Sequence, residues 1–230
     1  MLFVVDFDGT LALKDTVDEL LTRFAPAEWK AIEQEWLEGR MTAVECMKRQ
    51  IQLVQADRMT LELFFRATEL DAGFREFYEF ASGFSSVVIA SDGLDHAIRV
   101  ALRCAGLAQL SVFANRLVFE PRGIDIEFPH RNLLCKGGNG VCKCLVAREQ
   151  ACAVGAPVVL VGDGKSDACL AGNADFVFAK SALAAHCSQQ KIAFRPYRNF
   201  ADVLAEVKSW GIPHAQVPEF PRVAHRGNHI

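Results

Sequence analysis

The 230-residue chain predicts an α/β fold: a doubly wound parallel sheet with a helical cap inserted after the first strand. Three observations carry this. Three short apolar runs of strand length, LFVV within LFVVDFDGTLA (2–12), SSVVIASDG (85–93) and APVVLVGDG (156–164), each end in an aspartate within a glycine-containing turn. Helical patterns alternate with the later runs, as parallel βαβ units require. Between the first and second runs, residues 15–82 carry helical periodicity and no strand pattern.

The first run places Asp6 and Asp8 at its carboxyl end, with Gly9 to turn the chain and the Thr10 hydroxyl beyond. Helical patterns then occupy DTVDELLTRFAPAEWKAIEQEWLEG, MTAVECMKRQIQLVQ, TLELFFRATEL and GFREFYEFASG, with breaks at Pro26, Gly39 and Gly73. We read 15–82 as a cap over the strand ends; the alternative is a helical connection packed beside the sheet. Trp29, Trp36, Phe64 and Phe65 fall at helical spacing and are expected in the cap core, and the charge run KAIEQEWLEGR on a solvated face. The second strand is followed by a helix, GLDHAIRVALRCAG, on which His96 is expected at the surface or as a capping side chain. Residues 112–128 predict a hairpin around a Pro-Arg-Gly turn. Helical patterns follow at 141–155 and, after the third strand, at 165–174. The expected organisation is a core of 1–14 and 83–212, a cap of 15–82 and an extended tail of 213–230, where Pro213, Pro218 and Pro221 cluster.

Hydrophobic residues make up 51% and charged residues 23% of the chain, with a formal charge of −3, so the basic excess of a nucleic-acid binder is missing. No apolar run approaches the ~20 residues of a membrane span. The expectation is a cytoplasmic protein with small or acidic-neutral partners, and with neither nucleic acid nor membrane as partner. Eight cysteines in that compartment point to free thiols or metal ligands over a disulfide framework. His130, Cys135, Cys142 and Cys144 are a candidate zinc set, but C-x₆-C-x-C is no standard finger spacing; packed thiols or a redox-sensitive pair are the alternatives.

In doubly wound sheets ligands bind beyond the carboxyl ends of the strands. Asp6, Asp8, Asp92, Asp163 and Asp167 therefore converge on one crevice, where carboxylates so close are stable only beside positive charge. One of the first pair can attack phosphorus and the other move a proton. Mg²⁺ suits such oxygen ligands, with Asp6 and Asp163 the first choices. A lysine is needed as well: Lys143 opens the helix before the third strand, and Lys165 competes from the GDGKSD turn. Thr10, Ser91 and the backbone near Gly93 supply hydrogen-bond donors for the phosphate of a small phosphorylated metabolite, and Asp92 and Asp15 are placed in the same substrate- and phosphate-binding group.

Together DFDGT, SDG, Lys143 and GDGKSD, in this order over residues 2 to about 210, resemble the four motifs of the haloacid dehalogenase superfamily of phosphatases. The resemblance implies Asp6 as nucleophile and Asp8 as general acid, then base. It implies Mg²⁺ held by Asp6, Asp163 and the carbonyl of Asp8, phosphate contacts from Ser91 and Lys143, and Asp167 supporting the metal or orienting the lysine. The insertion after the first motif, and FANRL (113–117), are similar to the phosphoserine phosphatase branch. The match departs at Asp15, where that branch carries a glutamate for the substrate, at Lys48 beside Arg49, where it carries an arginine for the substrate carboxylate, and at Ser166, where it has asparagine. The segment FPHRNLLCKGGNGVCKC (128–144) and FAPAEW (24–29) are similar to methionine-salvage phosphatases acting on 2-hydroxy-3-keto-5-methylthiopentenyl 1-phosphate, and the former more distantly to phosphoethanolamine/phosphocholine phosphatases. A phosphotransferase or mutase, or a phosphate-responsive binding protein, are the competing readings.

Overall fold

Alternation along β1 (Leu2–Val5) builds both faces of the molecule at once. Phe3 and Val5 enter one apolar layer, and Leu2 and Val4 enter the other. The computed structural model describes residues 1–121, 123–135, 137–152 and 155–212; the expected extended tail of 213–230 lies outside them. The chain runs on from β1 through α1 (Thr16–Phe24), α2 (Trp29–Leu37), α3 (Ala43–Ile51), α4 (Arg58–Phe65), α5 (Phe74–Ala81), β2 (Ser86–Leu94), α6 (Asp95–Cys104), β3 (Ser111–Glu120) and β4 (Gly123–Glu127). Then follow α7 (Lys143–Cys152), β5 (Val158–Gly162), α8 (Ala168–Ala171), β6 (Phe176–Ala179), α9 (Ser181–Gln190), β7 (Arg195–Pro196) and α10 (Phe200–Ser209).

The strands form one seven-stranded sheet in the order β4-β3-β2-β1-β5-β6-β7, parallel except for the β3/β4 hairpin. Because β1 lies between β2 and β5, the three acidic strand ends are neighbours. Phe77 of α5, Ile98 of α6 and Phe200 of α10 pack on one face of the sheet, and Val146 of α7, Leu170 of α8 and Leu183 of α9 on the other. Each such side chain removed from water contributes about 1.5–3 kcal/mol, so the strand ends are mounted on a stiff platform.

Asp15, Thr42 and Asp57 cap α1, α3 and α4, with Glu45 completing a capping box at Thr42. Leu20, Leu21, Ile51, Leu61 and Phe65 of these helices share a third apolar cluster with Leu94, Ala97 and Val100, and with Leu117, Ile124 and Ile126 of the hairpin. β3 thus serves two layers. Its first half pairs with β2, and its second half pairs with β4 under the insertion.

Two expectations change. The sequence reading grouped α5 with the insertion, whereas Phe74 and Phe77 pack in the sheet-face layer, Phe74 meeting the Phe200 ring at 4.8 Å. An amphipathic pattern identifies an apolar face without saying which layer covers it. The helix expected over 165–174 is a 3₁₀ turn at Lys165–Asp167 followed by the single-turn α8, because Asp167 folds back onto the turn that precedes it. Among the described residues no helix is long and apolar enough to cross a membrane.

Candidate active site

Asp6 leaves the end of β1 with its N–H still donating to the Val161 carbonyl of β5 (2.9 Å), so its position is fixed by the sheet itself. Its buried carboxylate accepts from the Phe7 N–H at 2.8 Å and receives the Lys143 ammonium, also at 2.8 Å. Lys143 is the first residue of α7 and is fully enclosed. The same Nζ reaches Asp167 Oδ1 at 2.5 Å and Ser166 Oγ at 3.2 Å. Burial works against the lysine's charge, but Asp167 and Asp6 outweigh it and hold the ammonium above its usual range. Burial and the Asp167 charge push the pKa of Asp6 up as well, far above an ordinary carboxylate, with Lys143 opposing.

Asp167 is hydrogen-bonded through both oxygens. Oδ2 accepts the backbone N–H groups of Asp163 and Gly164, and Oδ1 takes the lysine. Asp163 is held from the opposite side by the Thr10 hydroxyl at 2.9 Å, and Tyr197 stands behind Thr10, its Oη 3.3 Å from the Gly162 carbonyl. Thr10 therefore fixes an acid instead of presenting its hydroxyl to the cavity. Gly9, at φ +70°, brings the loop so near that a Cβ would lie 2.6 Å from Asp163 Oδ2.

Asp6, Asp163 and Asp167 each offer an oxygen within 4.8 Å of the others. All three donors are carboxylate oxygens, the choice of a hard divalent cation, and burial raises the pKa of Asp163 as it does that of Asp6. The set fits Mg²⁺. Asp8, whose carbonyl the resemblance places on the metal, adds no carboxylate oxygen to this triad.

Asp8 Oδ1 accepts both the N–H (2.8 Å) and the hydroxyl (2.6 Å) of Thr16, and Oδ2 faces Ser91 Oγ at 3.4 Å. Burial, then repulsion from Asp15, push its pKa up to about 7 despite the Thr16 bonds. An acid with that value is divided between its two protonation states near neutrality, as proton transfer in both directions requires. Ser91, Asp92 and Gly93 stand where β2 slips in register against β3, between Ala90 and Leu94, so the SDG stretch bulges off the ladder. Gly93 N–H donates to Ser91 Oγ, and a Cβ on Gly93 would fall 2.3 Å from Asp8 Oδ2.

Asp92 departs from the phosphate role expected of it. Its Oδ1 accepts the Val141 N–H at 2.9 Å, and Asn115 donates to its carbonyl at 2.6 Å, so it ties β2 to the stretch that leads into Lys143. Asp15 caps α1 by accepting from Val17 and Asp18. Lys165 lines the same cavity but is exposed; it is Lys143 that meets Asp6.

These groups floor a cavity of about 480 Å³ between the strand ends and the insertion. Its cap wall is apolar through Trp36, Val44 and Met47, with Phe128 from the core side, and acidic through Asp15, Asp18 and Glu33. Lys48 and Arg49 are turned elsewhere, to Asp125 at 3.3 Å and Glu35 at 2.8 Å. A second cavity of about 470 Å³, bounded by Lys14, Glu19, Phe64 and Glu69, holds none of the strand-end carboxylates.

The model of the haloacid dehalogenase-like hydrolases matches residues 3–172. The chain belongs to this family. As a haloacid dehalogenase-like hydrolase it is 31% identical over 204 residues to the 2-hydroxy-3-keto-5-methylthiopentenyl-1-phosphate phosphatase of Geobacillus kaustophilus, the match covering 86% of this chain and 91% of the relative. The enzyme of the same name from Bacillus pumilus is 27% identical over 216 residues, covering 89% and 92%. Among solved structures, a phospho-aspartyl intermediate analogue of phosphoserine phosphatase superposes with a TM-score of 0.67 at 23% identity, over 90% of this chain and 97% of that one. A hydrolase of the family from Salmonella enterica serovar Typhi superposes at 0.70 with 19% identity, over 88% and 69%. These structural likenesses establish the haloacid dehalogenase-like fold seen here.

The motifs revealed the charged residues of the site but not their supports. Thr16, Tyr197 and the cap wall carry no motif, and Asn115 lies within FANRL without a role attached to it; Thr16 follows the capping Asp15, a weak signal that this residue begins a helix beside the site.

Proposed function

We propose that the chain is a Mg²⁺-dependent phosphomonoester hydrolase whose substrate is 2-hydroxy-3-keto-5-methylthiopentenyl 1-phosphate. The observation that carries the substrate reading is the cavity wall: Trp36, Val44, Met47 and Phe128 face the carboxylate floor, and among its described lining residues no arginine stands ready for a substrate carboxylate. An apolar thioether tail fits such a wall. The phosphoserine carboxylate would instead meet Asp15, Asp18 and Glu33. The names carried by the relatives from Geobacillus and Bacillus support the same choice.

In this reading an Asp6 oxygen attacks phosphorus while the bond to the leaving oxygen breaks, and protonated Asp8 gives that oxygen its proton. Water then attacks the aspartyl-phosphate and loses a proton to Asp8, releasing phosphate and restoring Asp6. Lys143 favours the ionised form of the nucleophile against the burial that raises its pKa, and offsets the charge of the approaching phosphate. Asp6 and Asp163 would hold Mg²⁺, which supplies positive charge against the phosphate oxygens; Asp167 supports it while holding the lysine.

The acidic rim favours a second reading, in which the ammonium of phosphoethanolamine or phosphocholine is held near Asp15, Asp18, Glu33 and Trp36. The test is kcat/KM for the three substrate types at equal Mg²⁺. We expect the methylthiopentenyl phosphate to exceed phosphoserine by at least roughly tenfold, a gap of ~1.4 kcal/mol. A preference for phosphoethanolamine selects the second reading, and a preference for phosphoserine excludes both.

A further inference from the structure

Beside the site, and unused by its chemistry, three thiols meet. Cys144 directly follows Lys143, Cys169 lies in α8 two residues past Asp167, and Cys135 comes from the loop before α7. Cys169 Sγ is 2.7 Å from Cys144 Sγ and 3.3 Å from Cys135 Sγ. All three side chains are half-buried, open enough for a small oxidant, whereas Cys142, which touches Cys135, is buried.

These separations differ from those of thiolates sharing one zinc. Thiolates around one zinc, each ~2.3 Å from it in a tetrahedron, sit ~3.8 Å apart, and the 2.7 Å pair is well inside that. Among the described residues, Asp6, Asp163 and Asp167 form the one set with ligand atoms all within 4.8 Å. His130 is also absent from the thiol group. It packs edge-on to Phe113, and its carbonyl accepts the Cys142 N–H. The 2.7 Å contact instead lies only about 0.7 Å beyond a ~2.0 Å sulfur–sulfur bond.

We propose that Cys169 is the centre of a reversible disulfide site, closed with Cys144, which links the oxidation state of the protein to the placement of Lys143. The oxidant is hydrogen peroxide. One sulfur attacks the peroxide oxygen and becomes a sulfenic acid as the first water leaves; the second sulfur displaces the hydroxyl, forms the S–S bond and releases the second water. Two thiols lose two electrons, and the O–O bond takes them. Closure draws the first turn of α7 toward α8. Lys143 belongs to that turn and already touches Asp6, Asp167 and Ser166, so the shift is transmitted to the nucleophile. Displacements on this scale cost catalysis one to two orders of magnitude.

Reduced protein treated with a slight excess of hydrogen peroxide, then alkylated and mapped by mass spectrometry, tests this. The expected result is a linked peptide joining residues 144 and 169, a mass loss of about 2 Da, and a roughly tenfold fall in p-nitrophenyl phosphate hydrolysis that dithiothreitol reverses. In Cys144→Ser the link moves to residues 135 and 169. In Cys169→Ser neither link forms and activity no longer responds to peroxide. The activity arm rests on the phosphatase reading, whereas the peptide map does not, so the two fail separately. The proposal is overturned by a different linkage in the wild-type map, by a 144–169 link with unchanged activity, or by stoichiometric zinc on these thiols in the purified protein. Should Cys169→Ser fail to fold, the wild-type map and its reversal decide alone.

Discussion

Lys143 Nζ lies 2.8 Å from Asp6 and 2.5 Å from Asp167, all three side chains enclosed, so one buried cation balances two buried anions. Breaking such a group by removing one member costs about 3–5 kcal/mol, since the remaining charges stay buried without a partner. Lys143→Met is therefore expected to lower the unfolding free energy by about that amount and to cut turnover by more than ~100-fold. Urea unfolding and steady-state kinetics read the two effects. A variant of wild-type stability would mean the charges are balanced by something other than this lysine.

Replacing Gly93 with alanine places a Cβ 2.3 Å from Asp8 Oδ2, in the space the proton donor occupies. Because the clash is local, Gly93→Ala is expected to lower kcat by roughly tenfold or more with little change in melting temperature. If kcat is unchanged, Asp8 is not the acid.

Asp163→Asn keeps an acceptor for the Thr10 hydroxyl but removes one negative charge from the triad. The Mg²⁺ concentration giving half-maximal activity should rise, by roughly tenfold if the charge contributes ~1.4 kcal/mol. Full activity in EDTA, for either protein, would exclude the metal.

Fold and site were legible to different depths. Buried parallel strands read as apolar runs, and an aspartate closing each run marks the crevice, so the sheet and the hairpin follow from sequence, whereas the residues alone leave the lysine open between Lys143 and Lys165. Where a side chain turns within the crevice does not. Asp92 looked like a phosphate contact because it lies between Ser91 and Gly93, yet the bulge turns it to Val141 and Asn115. α5 looked like cap because its apolar face has the same period as its neighbours; only the aromatic packing against Phe200 assigns it to the sheet. Cys169 drew no notice, since nothing in its local sequence reveals that α8 meets the start of α7.

His96 was expected at the surface or as a capping side chain and instead sits between the Phe65 and Phe119 rings, joining the insertion to the core, its Nε2 without a hydrogen-bond partner among the described residues. Burial first, then Arg58, lower its pKa below the ordinary value. An imidazole harder to protonate when folded gives stability that is present above about pH 6.5 and is lost as pH falls from there toward the lowered folded value. His96→Phe should accordingly lose less stability than wild type between pH 7.5 and 5.5 in urea titrations. Equal losses would show that the histidine is free to charge in the folded protein.

The nucleophile can be identified within one turnover. Enzyme mixed with p-nitrophenyl phosphate, quenched in acid within milliseconds and reduced with borohydride, should carry homoserine at residue 6, the product of reducing an acyl phosphate. Asp6→Asn should yield neither homoserine nor turnover, and Asp8→Asn should yield more of the trapped species than wild type because its breakdown is slowed. Homoserine at another position, or phosphate release by Asp6→Asn at a near-normal rate, would contradict the assignment of Asp6 as the residue that takes the phosphoryl group.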